Sequence, residues 1–410
     1  MKQNWIKAAG LFFSSQAVSL FGSSLVQYAI IWYITLETES GIMTTLATLF
    51  GFLPQVLISL FAGVWADRYS KKMLIMIADG AIALSTLVIA ILFMLGLDSI
   101  WLLLIALGIR SLGSGIQTPT VTSFLPEIVP EERLMRVNGI NTTIQSVMLI
   151  LSPAASGALL ANVKLAYIFF IDVFTAVVGI ALLWCVKTDK KERPEGRPEY
   201  FSAIKEGILY AKNHRLVSRM FLYLLLANIL VAPLSILTPL FVTRTFGGGP
   251  FYLTLNEVVF FIGNIIGGAL ISIWGGFKNK VHTVCLGCVI CGVLSVLMGA
   301  SFSFAFYLVC TGLSGVTMPM FNTPFITLFQ ENVDAEKQGR VFSLISVISG
   351  CVMPLAMVFY GPLADLIKIE YILIATGILF VACTFVLLKD KVLKNAVKPA
   401  EITASSQTEG

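Results

Sequence analysis

The strongest constraint on this chain is a series of apolar segments, each long enough to cross a membrane as a helix. A hydrocarbon core about 30 Å thick requires roughly 20 apolar residues per helical span. The segments fall at 10–35, 42–66, 73–97, 100–125, 138–160, 164–186, 216–243, 253–275, 281–300, 302–328, 341–364 and 370–388. A composition of 57% hydrophobic and 12% charged residues does not suit a soluble protein. The sequence therefore predicts an all-α membrane protein with twelve spanning helices.

Lysine and arginine residues are concentrated in alternate loops. Of the 28 in the chain, those outside the predicted cytoplasmic segments are Lys164, Arg244, Lys368 and the intrahelical Arg110. Because positive charge is retained on the cytoplasmic side, this asymmetry predicts that both termini are cytoplasmic. The net charge of +5 then follows from topology, and nucleic acid is not a predicted partner. The first segment is too long to be a removable signal peptide.

A long polar interruption divides the apolar segments into two sets of six. Within it, residues 200–212 have the pattern of a short amphipathic helix. The predicted domains are an N-terminal six-helix bundle, a cytoplasmic linker with the short helix, a C-terminal six-helix bundle and a disordered cytoplasmic tail, at 1–186, 187–215, 216–390 and 391–410.

The two halves also resemble each other in sequence. At a fixed offset, four residues around the end of the fourth segment recur in the second half: Pro119, Thr122, Phe124 and Glu131 align with Pro324, Thr327, Phe329 and Glu336. Parallel repeats of this kind are typical of alternating-access transporters, whose substrate binds where the two halves meet.

The loop between the second and third segments carries the dense charge pattern GVWADRYSKK, residues 63–72. Its form, Gly63-x-x-x-Asp67-Arg68-x-x-Lys71-Lys72, resembles the signature loop of the major facilitator superfamily. In that family the loop is a conformational latch, whose acid faces the positive end of a helix and whose bases hold neighbouring helix ends. The resemblance implies that Asp67 faces the start of the eleventh span, near Arg340. The alternative is that the three bases are ordinary positive-inside anchors.

Longer stretches resemble one branch of this superfamily, the bacterial drug exporters that include the Mef-type macrolide efflux proteins and the enterobactin exporters. The stretches are SSQAVSLFGSSLVQYAIIWYI at 14–34, GFLPQVLISLFAGVWADRYSKK at 51–72, IRSLGSGIQTP at 109–119 and GRVFSLIS at 339–346. The resemblance implies the major facilitator fold, a bacterial inner-membrane location and proton-driven antiport of small amphipathic compounds such as macrolides, with membrane lipids as further partners.

Other functions on the same scaffold stay open. One alternative is a siderophore exporter or another small-molecule transporter, and a different class would be a membrane sensor or lipid scramblase. The stretch MLILSPAASG at 148–157 also departs from the glycine-rich element of the exporters, because it keeps only Gly157. Serine and alanine still permit close helix contact at these positions.

Ionisable residues inside the apolar segments are the candidates for proton coupling. A buried ion costs several kcal/mol unless it is paired or hydrated, so it is rarely kept without a use. Arg110 lies halfway along the fourth segment, in a pattern with Gly113 and Gly115 that resembles the family's motif associated with proton transfer. Because a guanidinium does not release its proton, we expect Arg110 to act on a nearby acid or to bind an anion. The alternative is a structural arginine bonded to carbonyl groups.

Three acids are candidates for the partner of Arg110 and for the proton carrier. Asp172 lies far enough into the sixth segment to be desolvated, which favours its neutral form. Glu257 lies near the start of the eighth segment, and a comparable glutamate occurs in the Mef-type branch. Asp79 lies near the cytoplasmic end of the third segment, where pairing with the basic loop is an alternative. We rank Asp172 and Glu257 above Asp79, and interhelical hydrogen bonding is the alternative for all three.

Polar side chains within the segments predict the wall of a substrate cavity. Gln16, Ser19, Ser23 and Gln27 project from one side of the first segment. In the family's fold, the first, fourth, seventh and tenth spans line the central cavity. The predicted lining further includes Tyr28, Trp32, Ser114, Gln117, Asn228, Ser235, Asn264, Asn322 and Phe325. About half of the polar members are expected to make only interhelical hydrogen bonds.

No cofactor is predicted. Cys285, Cys288 and Cys291 have a spacing found in iron–sulfur sites, but they lie inside an apolar segment and we interpret them as packing residues. The sequence contains no phosphate-binding loop of the P-loop type, so ATP is not a predicted partner. It also lacks the nucleophile and base pattern of an enzyme.

Overall fold

The computed structural model describes residues 5–186, 208–390 and 392–393, and their regular structure is helical. The labelled helices are α1 Trp5–Thr38, α2 Gly41–Arg68, α3 Lys71–Met94, α4 Ile100–Ile128, α5 Leu134–Asn162, α6 Leu165–Trp184, α7 Arg215–Ile236, α8 Thr238–Phe246, α9 Pro250–Trp274, α10 Lys280–Gly299, α11 Phe304–Asn332, α12 Ala335–Leu366 and α13 Ile369–Lys389. Within these residues, 12 helices are long and apolar enough to cross a membrane. The predicted all-α fold with twelve spans is confirmed.

The linker and the tail are described only in part. Residues 208–213 are helical, whereas the rest of the amphipathic helix predicted at 200–212 lies outside the described residues. Of the tail predicted at 391–410, residues 392–393 are described and helical.

The seventh span is two helices, although a single helix was predicted at 216–243. α7 ends at Ile236 and α8 begins at Thr238. Pro233 lies inside α7, and the Leu237 N–H donates to its carbonyl oxygen to close that helix. Pro239 follows at the second position of α8 and has no N–H to continue the ladder. Prolines on both sides of Leu237 therefore interrupt the span.

Contacts within the chain define two units, and each is discontinuous in sequence. The first unit comprises Met1–Pro198, Thr238–Val258 and Met357–Asp365, and the second comprises Glu199–Leu237, Val259–Ala356 and Leu366–Gly410. The sequence-based division into two bundles at the linker stays a prediction. The contact-based first unit also takes in 238–258 and 357–365.

Helix packing inside each unit follows one scheme. In the first unit, α3 packs against α4 and α6, and α6 packs against α1. In the second unit, α10 packs against α11 and α13, and α13 packs against α7. These are equivalent pairs of the two sequence halves, as expected for a parallel repeat.

The core of the first unit is apolar and encloses the charged side chains described below. Leu25 and Ile30 of α1, Leu103 of α4 and Phe169 of α6 are almost completely buried in one cluster. Large apolar residues also face outward, as the 69% exposed Phe174 illustrates. Exposed apolar surface on a spanning helix is the surface that contacts lipid.

Candidate functional site

Arg110 of α4 and Asp172 of α6 form a buried ion pair in the first unit. Both side chains are almost inaccessible, with 3% and 1% of their surface exposed. The Arg110 guanidinium donates to the Asp172 carboxylate and, at 2.8 Å, to the carbonyl oxygen of Ser23. The Ser23 hydroxyl of α1 and the Thr86 hydroxyl of α3 donate to the two carboxylate oxygens at 3.0 and 2.9 Å. Four helices thus contribute to one hydrogen-bonded network around a single ion pair.

Asp79 of α3 lies in the same unit and is 2% exposed. Its Oδ1 accepts a hydrogen bond from the Gln117 amide of α4 at 2.6 Å. Its Oδ2 is buried and has no hydrogen-bond partner among the described residues. The Ser19 hydroxyl of α1 and the Asp172 carboxylate are close enough to influence Asp79 electrostatically. Among the described residues, the neighbours of Asp79 therefore include no cation, in contrast to those of Asp172.

Two glycines next to Arg110 allow α4 to approach its neighbours closely. A Cβ at Gly113 would stand 3.3 Å from the carbonyl oxygen of Ala78 in α3, next to Asp79. A Cβ at Gly115 would stand 2.5 Å from the carbonyl oxygen of Gln55 in α2. The glycine spacing of this motif thus brings α3 and α2 against opposite sides of α4.

The polar residues of α1 lie largely inside the first unit. Ser23 belongs to the ion-pair network, and Ser19 is 2% exposed. Gln16 is 8% exposed, with an amide nitrogen that has no hydrogen-bond partner in the described part of the chain. Gln27 is half-buried, and its amide nitrogen lies 2.8 Å from the position of a Cβ at Gly51 in α2. The structure therefore brings this stripe to the bundle interior, in accord with the interhelical alternative.

Glu257 of α9 is partly accessible, unlike Asp79 and Asp172. Its carboxylate lies within electrostatic reach of the half-buried Tyr28. The ring centroids of Tyr28 and Trp32 are 5.5 Å apart, but Trp32 is only 1% exposed and cannot be reached by a ligand in this structure. Glu257 and Tyr28 are thus near neighbours, whereas Trp32 is enclosed beside the Tyr28 ring.

The second unit contains a cavity of about 230 Å³. It is lined by Asn228 of α7 and Asn322 of α11, together with apolar side chains that include Phe321 and the thiols of Cys288 and Cys291. The Asn228 amide donates to the Leu224 carbonyl oxygen at 2.8 Å. Two of the predicted lining residues therefore share one cavity.

The remaining predicted lining residues are dispersed. Phe325 is buried and stacks on Phe321 with a centroid distance of 5.4 Å. Ser114 and Asn264 are half-buried, and Ser235 is exposed. None of these four is among the residues that line the 230 Å³ cavity.

The lysines of the signature loop cap helix ends in the first unit. Lys71 donates to the Ser123 carbonyl oxygen at 2.9 Å and pairs with Glu127 at 2.9 Å, near the end of α4. Lys72 donates to the carbonyl oxygens of Trp184 and Val186 at 2.8 and 2.7 Å, at the end of α6. A cation at a helix C-terminus interacts favourably with unpaired carbonyl groups and with the helix dipole.

The remaining residues of the predicted latch are Gly63, Asp67, Arg68 and Arg340. Arg68 is exposed and Arg340 is half-buried in α12. Gly63 and Asp67 belong to α2, but their side chains lie outside the described part of the structure. The latch role of Asp67 and Arg340 stays a prediction.

A second charged cluster, which the sequence did not predict, lies at the opposite ends of helices in the first unit. Asp365 of α12 accepts hydrogen bonds from the backbone N–H groups of Gly41 and Ile42 at 2.6 and 2.9 Å, and from the Ser40 hydroxyl at 3.0 Å. Arg244 of α8 donates to the same carboxylate at 2.6 Å. Asp365 thus caps the N-terminus of α2 and ties α8 to it. The available signal was Arg244, one of the few bases on the predicted outer side.

Close crossings of helices accompany this cluster. A Cβ at Gly361 of α12 would stand 2.6 Å from the carbonyl oxygen of Gly41 in α2. A Cβ at Gly157 of α5 would stand 3.0 Å from the carbonyl oxygen of Pro250 in α9. Glycine is required at Gly361 because a side chain there would meet backbone, whereas a Cβ at Gly157 would chiefly meet the Thr254 side chain.

These features agree with the comparison of the chain with protein families. The model of the Major Facilitator Superfamily matches residues 12–357. The chain belongs to this superfamily. It is a multi-pass membrane transporter of the superfamily, and this family points away from an enzyme.

Individual members of the superfamily are similar over most of the chain. Macrolide efflux protein A of Streptococcus pyogenes is 29% identical over 387 residues, which cover 93% of this chain and 96% of that protein. The staphyloferrin A transporter of Staphylococcus aureus is 22% identical, covering 92% of this chain and 94% of that protein. The crystal structure of a bacterial homologue of the human lysosomal transporter Spinster superposes with a TM-score of 0.70 at 13% identity, covering 98% of this chain and 100% of that one. The structural likeness shows the major facilitator fold.

Proposed function

We propose that this protein is a proton-coupled exporter of amphipathic compounds of the macrolide type, working by alternating access in the bacterial cell membrane. The observation that carries the coupling proposal is the set of buried charges on α3, α4 and α6. Buried ions in spanning helices are costly and mark ion or proton pathways. The proposed cargo rests on the similarity to macrolide efflux protein A over 93% of the chain.

The proposed mechanism uses the change of charge on a buried carboxyl. Protonation removes a buried negative charge, so it changes the relative free energies of conformations that expose the carboxyl to different degrees. A proton entering from outside then favours one conformation, and its release inside favours the other. Cargo that binds one conformation more tightly is moved in the opposite direction to the proton.

The partly accessible Glu257 and its neighbour Tyr28 are proposed to contact the cargo. A carboxylate beside an aromatic ring attracts an amine-bearing amphipathic compound by charge and by cation–π contact. The cavity of about 230 Å³ is proposed to hold an uncharged part of the cargo, because its lining residues carry no formal charge.

Accumulation of radiolabelled erythromycin in an efflux-deficient bacterial host tests the proposed cargo. Cells that express the protein should accumulate less of the drug than cells with the empty vector, and a protonophore should abolish the difference. Equal accumulation with and without the protein would contradict macrolide export. Radiolabelled staphyloferrin A, assayed in parallel, tests the siderophore alternative suggested by the 22% identical relative.

The same cells separate transport from a sensor or scramblase function. A sensor or scramblase would leave the drug gradient unchanged, because neither couples cargo movement to an ion gradient. Protonophore-sensitive export against a drug gradient excludes both.

A further inference from the structure

The buried charges of this protein do not balance. Among the described residues, the charged side chains in the buried class are Asp79, Arg110 and Asp172. Two carboxyl groups and one guanidinium give this set a net charge of −1 if both acids are ionised. Burial of an uncompensated charge is strongly unfavourable in the interior of a helical bundle. One of the two carboxyl groups is therefore expected to hold a proton in this conformation.

Asp172 is poorly suited to be the protonated group. It is paired with Arg110, which remains positively charged, and it accepts hydrogen bonds from Ser23 and Thr86. Interactions with a cation and with hydroxyl donors favour the carboxylate form. Protonation of Asp172 would also leave the guanidinium without its counter-ion. The network therefore fixes the Asp172 carboxylate against the guanidinium.

Asp79 has the surroundings of a group that changes its protonation state. The groups that face it are the Ser19 hydroxyl of α1, the Gln117 amide of α4 and the Asp172 carboxylate of α6. None of these three is a cation, and the Asp172 carboxylate disfavours a second negative charge nearby. Arg110 of α4 directs its hydrogen bonds to Asp172, Thr86 and Ser23. The free Oδ2 of Asp79 is available to carry a proton.

Asp79 lies towards the predicted cytoplasmic end of α3. It lies eight positions after Lys71, the first residue of α3, which corresponds to about 12 Å of helix. Its partner Gln117 is half-buried, whereas Asp79 itself is buried. Gln117 thus connects the buried carboxyl to a less enclosed part of the unit.

Glu257 is the other acid that requires comparison. It is less enclosed than the 2% exposed Asp79 and lies beside Tyr28. A carboxylate beside an aromatic ring suits contact with a cationic cargo, so we assign Glu257 that role.

We propose that Asp79 is the residue that loads and releases the transported proton, and that Arg110 and Asp172 form a structural ion pair beside it. The proposal rests on the proposed proton-coupled function. In the loading step, a proton from water binds Oδ2 of the Asp79 carboxylate, and the charge of the buried set changes from −1 to zero. In the release step, the same proton returns to water on the inner side. Gln117 is a positioning residue, because it holds Oδ1.

The test uses the full-length protein reconstituted in proteoliposomes with an internal pH-sensitive dye. The variants are Asp79→Asn, Asp79→Glu and Glu257→Gln, and Asp98→Asn is a matched control at an exposed loop position. Two properties are measured for each: drug-induced proton flux, and exchange of labelled for unlabelled erythromycin without a proton gradient. Exchange of labelled for unlabelled drug needs no net proton movement. It therefore shows whether a variant still binds and moves the drug.

Asp79→Asn should reduce drug-induced proton flux by about tenfold or more and retain exchange, because a proton-transfer group commonly contributes about 100-fold or more. Asp79→Glu should recover flux with an altered pH profile, and the control Asp98→Asn should remain coupled. Glu257→Gln should weaken flux and exchange together, as expected for a residue that contacts the cargo. Coupled flux in Asp79→Asn, or loss of flux with retained exchange in Glu257→Gln alone, would overturn the assignment.

If Asp79→Asn does not fold, a further variant, Gln117→Leu, still tests the proposal. Gln117→Leu leaves every buried charge in place and should shift the pH dependence of flux, and an unchanged pH profile would count against the proposal. If the unmodified protein itself shows drug exchange but no proton flux, the proposed proton coupling fails before the role of Asp79 is tested.

Discussion

At the scale of single residues, the distinction between the two aspartates follows from their partners. Asp172 has a guanidinium and two hydroxyl donors, whereas the described groups at Asp79 are the Gln117 amide, the Ser19 hydroxyl and the Asp172 carboxylate, none of which is a cation. The same side chain is therefore held charged at one position and disfavoured as an anion at the other. Depth in the membrane alone does not determine which acid carries a proton.

Asp172→Asn should destabilise the protein strongly. The substitution leaves the Arg110 charge buried without its counter-ion, and breaking a buried pair in this way costs about 3–5 kcal/mol. Thr86→Val, which removes one hydroxyl from the same network, should cost only about 1 kcal/mol. Thermal unfolding of the purified variants in detergent, followed by intrinsic fluorescence, measures the difference.

Replacement of the whole pair provides the control for this prediction. Arg110→Met combined with Asp172→Leu removes both charges, so it should melt at a higher temperature than Asp172→Asn. A melting temperature of Asp172→Asn equal to that of the unmodified protein would show that the pair does not stabilise the bundle.

The sequence located these charged residues, and its ranking of Asp172 above Asp79 differs from our proposal. The positions of Arg110, Asp172 and Asp79 inside apolar segments were visible from hydropathy. Their partners were not, because Asp172 lies 62 residues from Arg110 and Gln117 lies 38 residues from Asp79. Spacing along one helix defines a face, but contacts between helices depend on how those faces pack.

At the scale of helices, glycine positions determine how closely the helices cross. Gly361 lies against the backbone of α2, and Gly157 lies against the backbone of α9. Asp365 and Arg244 add charged hydrogen bonds at the first of these crossings. The crossing of α12 with α2 therefore combines close backbone contact with a capped helix end.

Gly361→Ala should destabilise this crossing. The new Cβ would lie 2.6 Å from the Gly41 carbonyl oxygen, and backbone atoms cannot move aside cheaply. Overpacking of this kind costs about 1–3 kcal/mol. Gly139→Ala in α5 is the matched control, because a Cβ at Gly139 would meet nothing within 4 Å.

The control should leave the melting temperature unchanged or raise it, because alanine stabilises a helix by up to about 1 kcal/mol relative to glycine. Equal shifts in the two variants would mean that helix propensity, and not the crossing, determines the effect. Thermal unfolding in detergent distinguishes these results.

The helices themselves were largely predictable, and their interruptions were not. Twelve spans follow from segment length, as the structure confirms. The break at Leu237 depends on two prolines that flank it, and proline is also tolerated inside other helices of this chain, such as Pro153 in α5. Tertiary packing decides whether a proline breaks a spanning helix or only bends it.

At the scale of the whole molecule, sequence repetition and packing agree. The equivalent helix pairs of the two halves make equivalent contacts within their units. Among the described residues, the charged side chains in the buried class lie in the first unit, whereas the lining of the 230 Å³ cavity in the second carries no formal charge. The two units therefore repeat one packing scheme but differ in whether their interiors contain charged side chains.

The distribution of Lys and Arg predicts that both termini are cytoplasmic. A green fluorescent protein fused after Gly410 should fluoresce, and alkaline phosphatase at the same position should be inactive, because each reporter works on only one side of the bacterial membrane. The opposite pair of results would invert the predicted topology and the assignment of inner and outer sides.

The central claim is that drug export is driven by the proton gradient. Its most direct test is uptake of labelled erythromycin into everted membrane vesicles whose lumen is acidified. Proton-coupled export predicts accumulation of the drug in the lumen above its external concentration, with alkalinisation of the lumen and collapse of accumulation on addition of a protonophore. Accumulation that persists without a proton gradient, or a drug concentration that never exceeds the external one, would contradict the claim.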